Sequence, residues 1–124
     1  MSMSGFSEVH YLNAIIAEIR AVRSFVSGMG FDDCAADLKT RYATERAILN
    51  ISEAVRNLER HGRHDNPDFS LASVSTEIEW AKIKGIGNVM RHDYENVSAS
   101  RVWGVVAGHL DGLEQACLRA LRAG

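Results

Sequence analysis

The 124-residue chain has little proline, little cysteine and almost no excess of charge of either sign. Its one proline, Pro67, favours helices over a sheet built from many turns. The two cysteines, Cys34 and Cys117, lie far apart without a C-x-x-C spacing, which argues against a disulfide scaffold and a cysteine zinc site. The formal net charge of -2 excludes a strongly basic nucleic-acid coat protein, although it allows a local basic site.

Long apolar runs are also missing. No uninterrupted apolar stretch approaches the ~20 residues that span a bilayer, and the first residues lack the basic leader and cleavage site of a secretion signal. Hydrophobic residues make up 46% and charged residues 24% of the chain, a composition typical of a folded globular protein. We therefore expect a single domain over residues 1–124, in a reduced cytoplasmic setting and without membrane contact.

The sequence shows helical periodicity over most of its length. Apolar residues recur at i, i+3, i+4 and i+7 over residues 12–26, and the glycines at 28 and 30 mark the end of that helix. A second periodic stretch runs from about 37 to 60, a weaker one from 71 to 90, and a last one begins near 98. Because each helix is apolar along one stripe, the pattern predicts an all-α, up-and-down four-helix bundle with a short extra helical segment.

The densest set of functional groups lies in residues 87–96, with the sequence GNVMRHDYEN. A histidine titrates near neutral pH, and an arginine can hold a phosphate through paired hydrogen bonds. With the neighbouring tyrosine and asparagine, these groups suit acid–base chemistry on a phosphodiester, with no metal ion or other cofactor. The spacing alone leaves another interpretation open, in which the charged residues form a solvated helix end.

The same segment resembles the signature of the HepT-like toxins, a branch of the HEPN superfamily. The family pattern is Arg-Asn, three further residues, His, any residue and Tyr, and Asn88, His92 and Tyr94 fit it. A Trp before the signature and a Val-Trp pair after it are matched by Trp80 and by Val102-Trp103. Upstream, RAILNISEA at 46–54 resembles the family's Arg-Ala-Leu-x-Ile-Ile-Gly-Glu-Ala helix segment.

The resemblance implies a metal-independent endoribonuclease toxin that cleaves RNA by 2′-OH transesterification. His92 would move the proton of the ribose 2′-hydroxyl or of the leaving 5′-oxygen, Arg91 would stabilise charge on the phosphorane, and Asn88 would orient the phosphate or the histidine. Asp93, Arg46 and Glu53 are further candidates for lining the site. The resemblance also implies a homodimer, or a higher even oligomer, in which two motifs face each other.

One departure from the family pattern bears on activity, because Gly87 stands where the family has its first motif arginine. Arg91 is a candidate to supply the missing guanidinium. The alternative is a catalytically impaired HEPN module that binds a partner, since HepT-like toxins are typically encoded with an MntA-type nucleotidyltransferase antitoxin. That partner would transfer AMP onto Tyr94.

Two further groups have structural interpretations beside the functional ones. Arg46 and Glu53 are seven positions apart on one helix face, where they would line the site or form ion pairs with a neighbouring helix. His61 and His64 have the spacing of metal ligands but no convincing partner set, so no metal site is expected.

Overall fold

The computed structural model describes residues 3–123, with side chains for 8–95 and 97–123. All regular secondary structure in this range consists of helices, which are joined by loops. The six α-helices are α1 (Met3–Phe25), α2 (Phe31–Ala36), α3 (Leu38–Asp65), α4 (Trp80–His92), α5 (Ala99–Gly108) and α6 (Leu110–Ala123). Single 3-10 turns at Leu71–Ser73 and Tyr94–Asn96 precede α4 and α5. The described residues contain no strand, which confirms the all-α prediction.

The helices form a bundle around α3. One side of α3 packs along α1, which also contacts α6, and α4 packs along α3 as well. The short α2 contacts α3 and α5, and the predicted last helix is divided into α5 and α6 at His109. The core joins the four main helical stretches through buried side chains that include Ile15, Ile19, Val22, Ile51, Val55, Leu58, Ile83, Leu113 and Cys117.

Local signals in the sequence set the helix ends. Gly28 adopts a left-handed conformation (φ 75°) after α1, as glycine readily does. The Asp37 side chain accepts a hydrogen bond from the Thr40 N–H at 3.3 Å and so caps α3. α3 continues past Gly62 to Asp65. Gly62 packs against the ring of Phe69, where a Cβ would lie 2.4 Å from a ring carbon.

The start of α3 departs from the periodic pattern. Leu38 and Tyr42, which the spacing assigns to the inner stripe, are 57% and 55% exposed, because they lie at the beginning of the helix, outside the core of the long helices. From Ile48 onward the predicted stripe is buried as expected. None of the helices in residues 3–123 is long and apolar enough to cross a membrane.

Candidate functional site

The close approach of α3 and α4 determines which residue type can occupy position 87, the first position of the motif. The two helices run antiparallel, since Lys84 pairs with Glu59 while Tyr94, just after α4, contacts Glu45. Between these contacts, buried Gly87 of α4 faces buried Ser52 of α3. A Cβ atom at position 87 would lie 1.9 Å from Ser52 Oγ and 2.4 Å from Ser52 Cβ. Because real Cβ atoms do not approach other atoms so closely, only glycine fits while Ser52 stays in place. The packing of these two helices therefore excludes an arginine at position 87.

Beside this contact, polar faces of α3 and α4 border an open groove, which we call the α3–α4 groove. Its lining is defined by side chains that recur at helical spacing on each helix. They are Glu53, Arg56, Asn57, Glu59, Arg60 and Arg63 from α3, and Lys84, Asn88, Arg91 and His92 from α4. The groove thus brings together four residues that the sequence identifies as site candidates.

Arg91 is held in place across the groove. One of its terminal nitrogens, Nη1, forms an ion pair with Oε1 of Glu53. Arg91 also follows Gly87 by four residues, so its side chain begins on the same face of α4, about 6 Å further along the helix. A guanidinium is therefore available on the helix face from which the motif arginine is missing.

His92 and Asn88 complete the motif side of the groove. His92 is the last residue of α4, and Asn88 lies one turn before it; both side chains are exposed. A cationic side chain in the last turn also interacts favourably with the helix dipole. The end of α4 therefore presents an imidazole, a carboxamide and a guanidinium to one stretch of surface.

Tyr94 lies in a second pocket, separate from the groove. Its hydroxyl donates a hydrogen bond to Oε1 of Glu45, and the other carboxylate oxygen accepts one from Arg41 Nε at 3.1 Å. The hydrogen bond to Glu45 raises the pKa of Tyr94, so the phenol is protonated at neutral pH. Tyr94 is 46% exposed, and Arg46 lines the same pocket.

The remaining predicted site residues occupy different places. Asp93 ends α4, with its backbone N–H donating to the carbonyl of Val89 at 2.7 Å, and its side chain is exposed. Arg46 and Glu53 do not share one site, because Arg46 lies beside Tyr94 and Glu53 lies in the α3–α4 groove. Of the candidates, the groove therefore collects His92, Arg91, Asn88 and Glu53.

The donor chemistry of the groove suits an anion. Its two carboxylates are paired with cations, Glu53 with Arg91 and Glu59 with Lys84 at 3.1 Å. Over the part of the chain that the structure describes, no three His, Cys, Asp or Glu side chains are grouped as metal ligands. His61 instead packs against the ring of Tyr11, with centroids 5.3 Å apart.

The sequence motifs do not include two parts of this arrangement. The first is the set of basic residues on α3, although Arg56, Arg60 and Arg63 recur at intervals of four and three along the helix. The second is Glu45, although it falls on the buried face three residues before Ile48. A carboxylate at such a position signals a polar partner, because a buried charge requires one.

Fold and groove together define an all-α protein whose histidine, arginine and amide groups are suited to a phosphodiester. The profile of the family described as Ribonuclease HepT-like matches residues 15–120, and the chain belongs to this family. It is 26% identical over 105 residues to a putative RNase of Caldanaerobacter subterraneus subsp. tengcongensis, covering 85% of this chain and 86% of that protein. It is also 26% identical over 108 residues to a probable ribonuclease HepT of Thermococcus cleftensis, covering 87% and 90%. No solved structure gives a significant match.

Proposed function

We propose that this protein is a metal-independent endoribonuclease, acting as the toxin of a HepT/MntA-type toxin–antitoxin system. The observation that carries the proposal is the placement of His92, Arg91 and Asn88 on one wall of the α3–α4 groove. Membership of the HepT-like family supports the reaction class. The two similar proteins named as ribonucleases support RNA as the substrate.

In the proposed reaction, the ribose 2′-oxygen attacks the adjacent phosphorus. A bond forms between phosphorus and O2′ while the bond to O5′ breaks, which leaves a 2′,3′-cyclic phosphate and a 5′-hydroxyl. His92 accepts the proton of the 2′-hydroxyl or donates one to the leaving oxygen. Asn88 donates an amide hydrogen to a non-bridging oxygen, and Arg91 neutralises the charge that develops on the phosphorane. We further propose a homodimer in which two such sites face each other.

Glu53 has a positioning role in this proposal. Its ion pair holds the Arg91 guanidinium against α3, beside the contact between Gly87 and Ser52. A guanidinium that is already oriented loses less conformational entropy when a phosphate binds. The pair therefore compensates for the absence of the first motif arginine.

The reaction products test this mechanism. We expect wild-type protein in EDTA to cleave a single-stranded RNA oligonucleotide, leaving 2′,3′-cyclic phosphate and 5′-hydroxyl ends. A matched oligonucleotide with one 2′-deoxynucleotide at the cleaved position should be resistant there, because it lacks the attacking oxygen. Products ending in a 3′-hydroxyl and a 5′-phosphate would contradict the mechanism, since they arise from attack by water.

A second candidate function is that of a partner-binding module without cleavage activity. The observation that favours it is the packing of Gly87 against Ser52, which excludes the motif arginine. In this case the chain binds an MntA-type nucleotidyltransferase, which transfers AMP onto the exposed Tyr94. A stable complex with that enzyme, with no cleavage of RNA by the separate chain, would favour this candidate over the first.

A further inference from the structure

The α3–α4 groove carries more positive charge than a single reacting phosphate requires. Five of the chain's 14 Lys and Arg side chains line it, against the two carboxylates of Glu53 and Glu59. The groove therefore has an excess of three positive charges, in a chain whose formal net charge is -2. We infer that the part of the groove beyond His92 binds the backbone of single-stranded RNA next to the scissile bond, an inference that rests on the proposed function.

The positive side chains follow the length of the groove. From Glu53 to Arg63 the groove wall covers eleven residues of α3, or about 15 Å along the helix axis. Lys84 stands opposite on α4, and the side chains of Arg60 and Arg63 are exposed at the end remote from His92. A polyanion that starts at His92 and follows the groove therefore meets cationic groups along its path.

Arg56 of α3 is held in the groove by a contact with α4. Its Nη2 atom donates to the backbone carbonyl of Lys84 at 3.4 Å, which holds the side chain across the two helices. Arg56 also lines the groove, so its guanidinium adds to the positive charge that a phosphate meets there.

The chemistry of the groove favours one strand of RNA. Its cationic side chains follow a single path between α3 and α4, as one phosphate backbone does, and an unpaired strand leaves its base edges free for contacts. Asn57 and Asn88 alternate with the cationic side chains and offer neutral donors and acceptors for sugar and base edges. Phosphate contacts of this kind fix the register of the strand and do not depend on base sequence.

Arg60 and Arg63 provide the direct test, because their partners lie within α3. Arg60 donates to Asn57 at 2.6 Å, and Arg63 pairs with Glu59 at 3.4 Å, so their replacement removes no contact between helices. Arg119 and Arg122 on α6 form a matched control, with the same spacing and with Arg119 paired to Glu77 at 3.4 Å. The variants are Arg60→Gln/Arg63→Gln and Arg119→Gln/Arg122→Gln.

The probe is a fluorescent 2′-O-methyl RNA of about 16 nucleotides, a site size within the range of single-strand binding proteins. This RNA lacks the 2′-hydroxyl, so binding is measured apart from cleavage. We expect at least about tenfold weaker binding by Arg60→Gln/Arg63→Gln, and a salt slope reduced by about 1.4, since each contact to single-stranded phosphate contributes about 0.7. Arg60→Lys/Arg63→Lys should retain most of the salt slope, because it keeps both charges.

The outcomes separate this inference from the proposed function. If the groove variant binds like the α6 control, or if the wild-type chain does not bind the probe, the inference is overturned, whatever the cleavage assay shows. If binding depends on Arg60 and Arg63 but unmodified RNA is not cleaved, the inference stands and the proposed nuclease activity fails.

Discussion

Gly87 of α4 lies directly against Ser52 of α3, and these are two positions at which the chain departs from the HepT-like pattern. The pattern has arginine at the first position and glycine at the second, whereas this chain has glycine and serine. A Cβ at position 87 would lie 1.9 Å from Ser52 Oγ. The two departures therefore compensate each other sterically, since at least one of the two positions must lack a side chain for the helices to approach this closely.

Adding a methyl group at position 87 should destabilise the fold. We expect Gly87→Ala to lower the free energy of unfolding by about 1–3 kcal/mol, because overpacking outweighs the gain in helix propensity. Ser52→Gly in the same chain should remove most of this penalty. Gly85→Ala is the matched control on α4: a Cβ there meets nothing within 4 Å, so it should be neutral or stabilising by up to about 1 kcal/mol. Urea denaturation of the wild type and these three variants gives their free energies of unfolding. Equal effects of the alanines at 85 and 87 would contradict this packing.

Replacing Arg91 should remove most of the cleavage activity. We expect Arg91→Gln to lower kcat by about 10²–10³-fold, the usual cost of losing one group that stabilises transition-state charge. The exchange Ser52→Gly/Gly87→Arg, added to Arg91→Gln, should restore part of the rate by returning a guanidinium to the same helix face. Single-turnover cleavage gives both values. Unchanged activity in Arg91→Gln would show that Arg91 does not replace the motif arginine.

Tyr94 should be the nucleotide acceptor if the partner enzyme modifies this chain. We expect an MntA-type nucleotidyltransferase with ATP to add AMP to wild-type protein and not to Tyr94→Phe, as read by intact-mass spectrometry. Tyr42 lines the same pocket and is 55% exposed, so Tyr42→Phe is the matched control and should be modified normally. Modification of Tyr94→Phe would place the acceptor elsewhere. The added phosphate would repel an RNA backbone, since it lies two residues from His92.

The ion pairs of buried Glu114 should make stability depend on pH. Arg23 donates to its carboxylate at 2.5 Å, which lowers the pKa of Glu114 from its ordinary value of 4.5. Below pH 4.5 the unfolded chain binds the proton more readily than the folded one, so the stabilisation is complete above that pH and is lost as the pH falls through the folded pKa. We expect Glu114→Gln to cost about 1–3 kcal/mol at neutral pH and to flatten the acid limb of the stability curve. Exposed Glu77, tested as Glu77→Gln, should leave that limb unchanged.

The helices follow from the sequence because their spacing is a local property. The stripes of α1 and α6 are buried as predicted at Ile15, Ile19 and Leu113, and α3 begins at Leu38, next to its predicted start at about 37. The exposure of Leu38 does not follow, because periodicity identifies one face of a helix but not where its neighbours end.

The site is predictable in part for the same reason. Asn88, Arg91 and His92 lie within two turns of α4, so a linear motif finds them. The pairs Glu53–Arg91 and Glu45–Tyr94 join α3 to later parts of the chain. Their partners depend on the register between packed helices, which hydrophobic spacing alone does not specify.

The proposed role of His92 is tested by cleavage of single-stranded RNA in EDTA with wild-type protein, His92→Ala and His10→Ala. His10 is exposed on α1 and lines none of the pockets described above, so its variant controls for the loss of one histidine. We expect cleavage by wild type and His10→Ala and loss of cleavage in His92→Ala, with all three proteins equally folded by circular dichroism. Equal cleavage by His92→Ala, or no cleavage by any of the three, would contradict a nuclease site at His92.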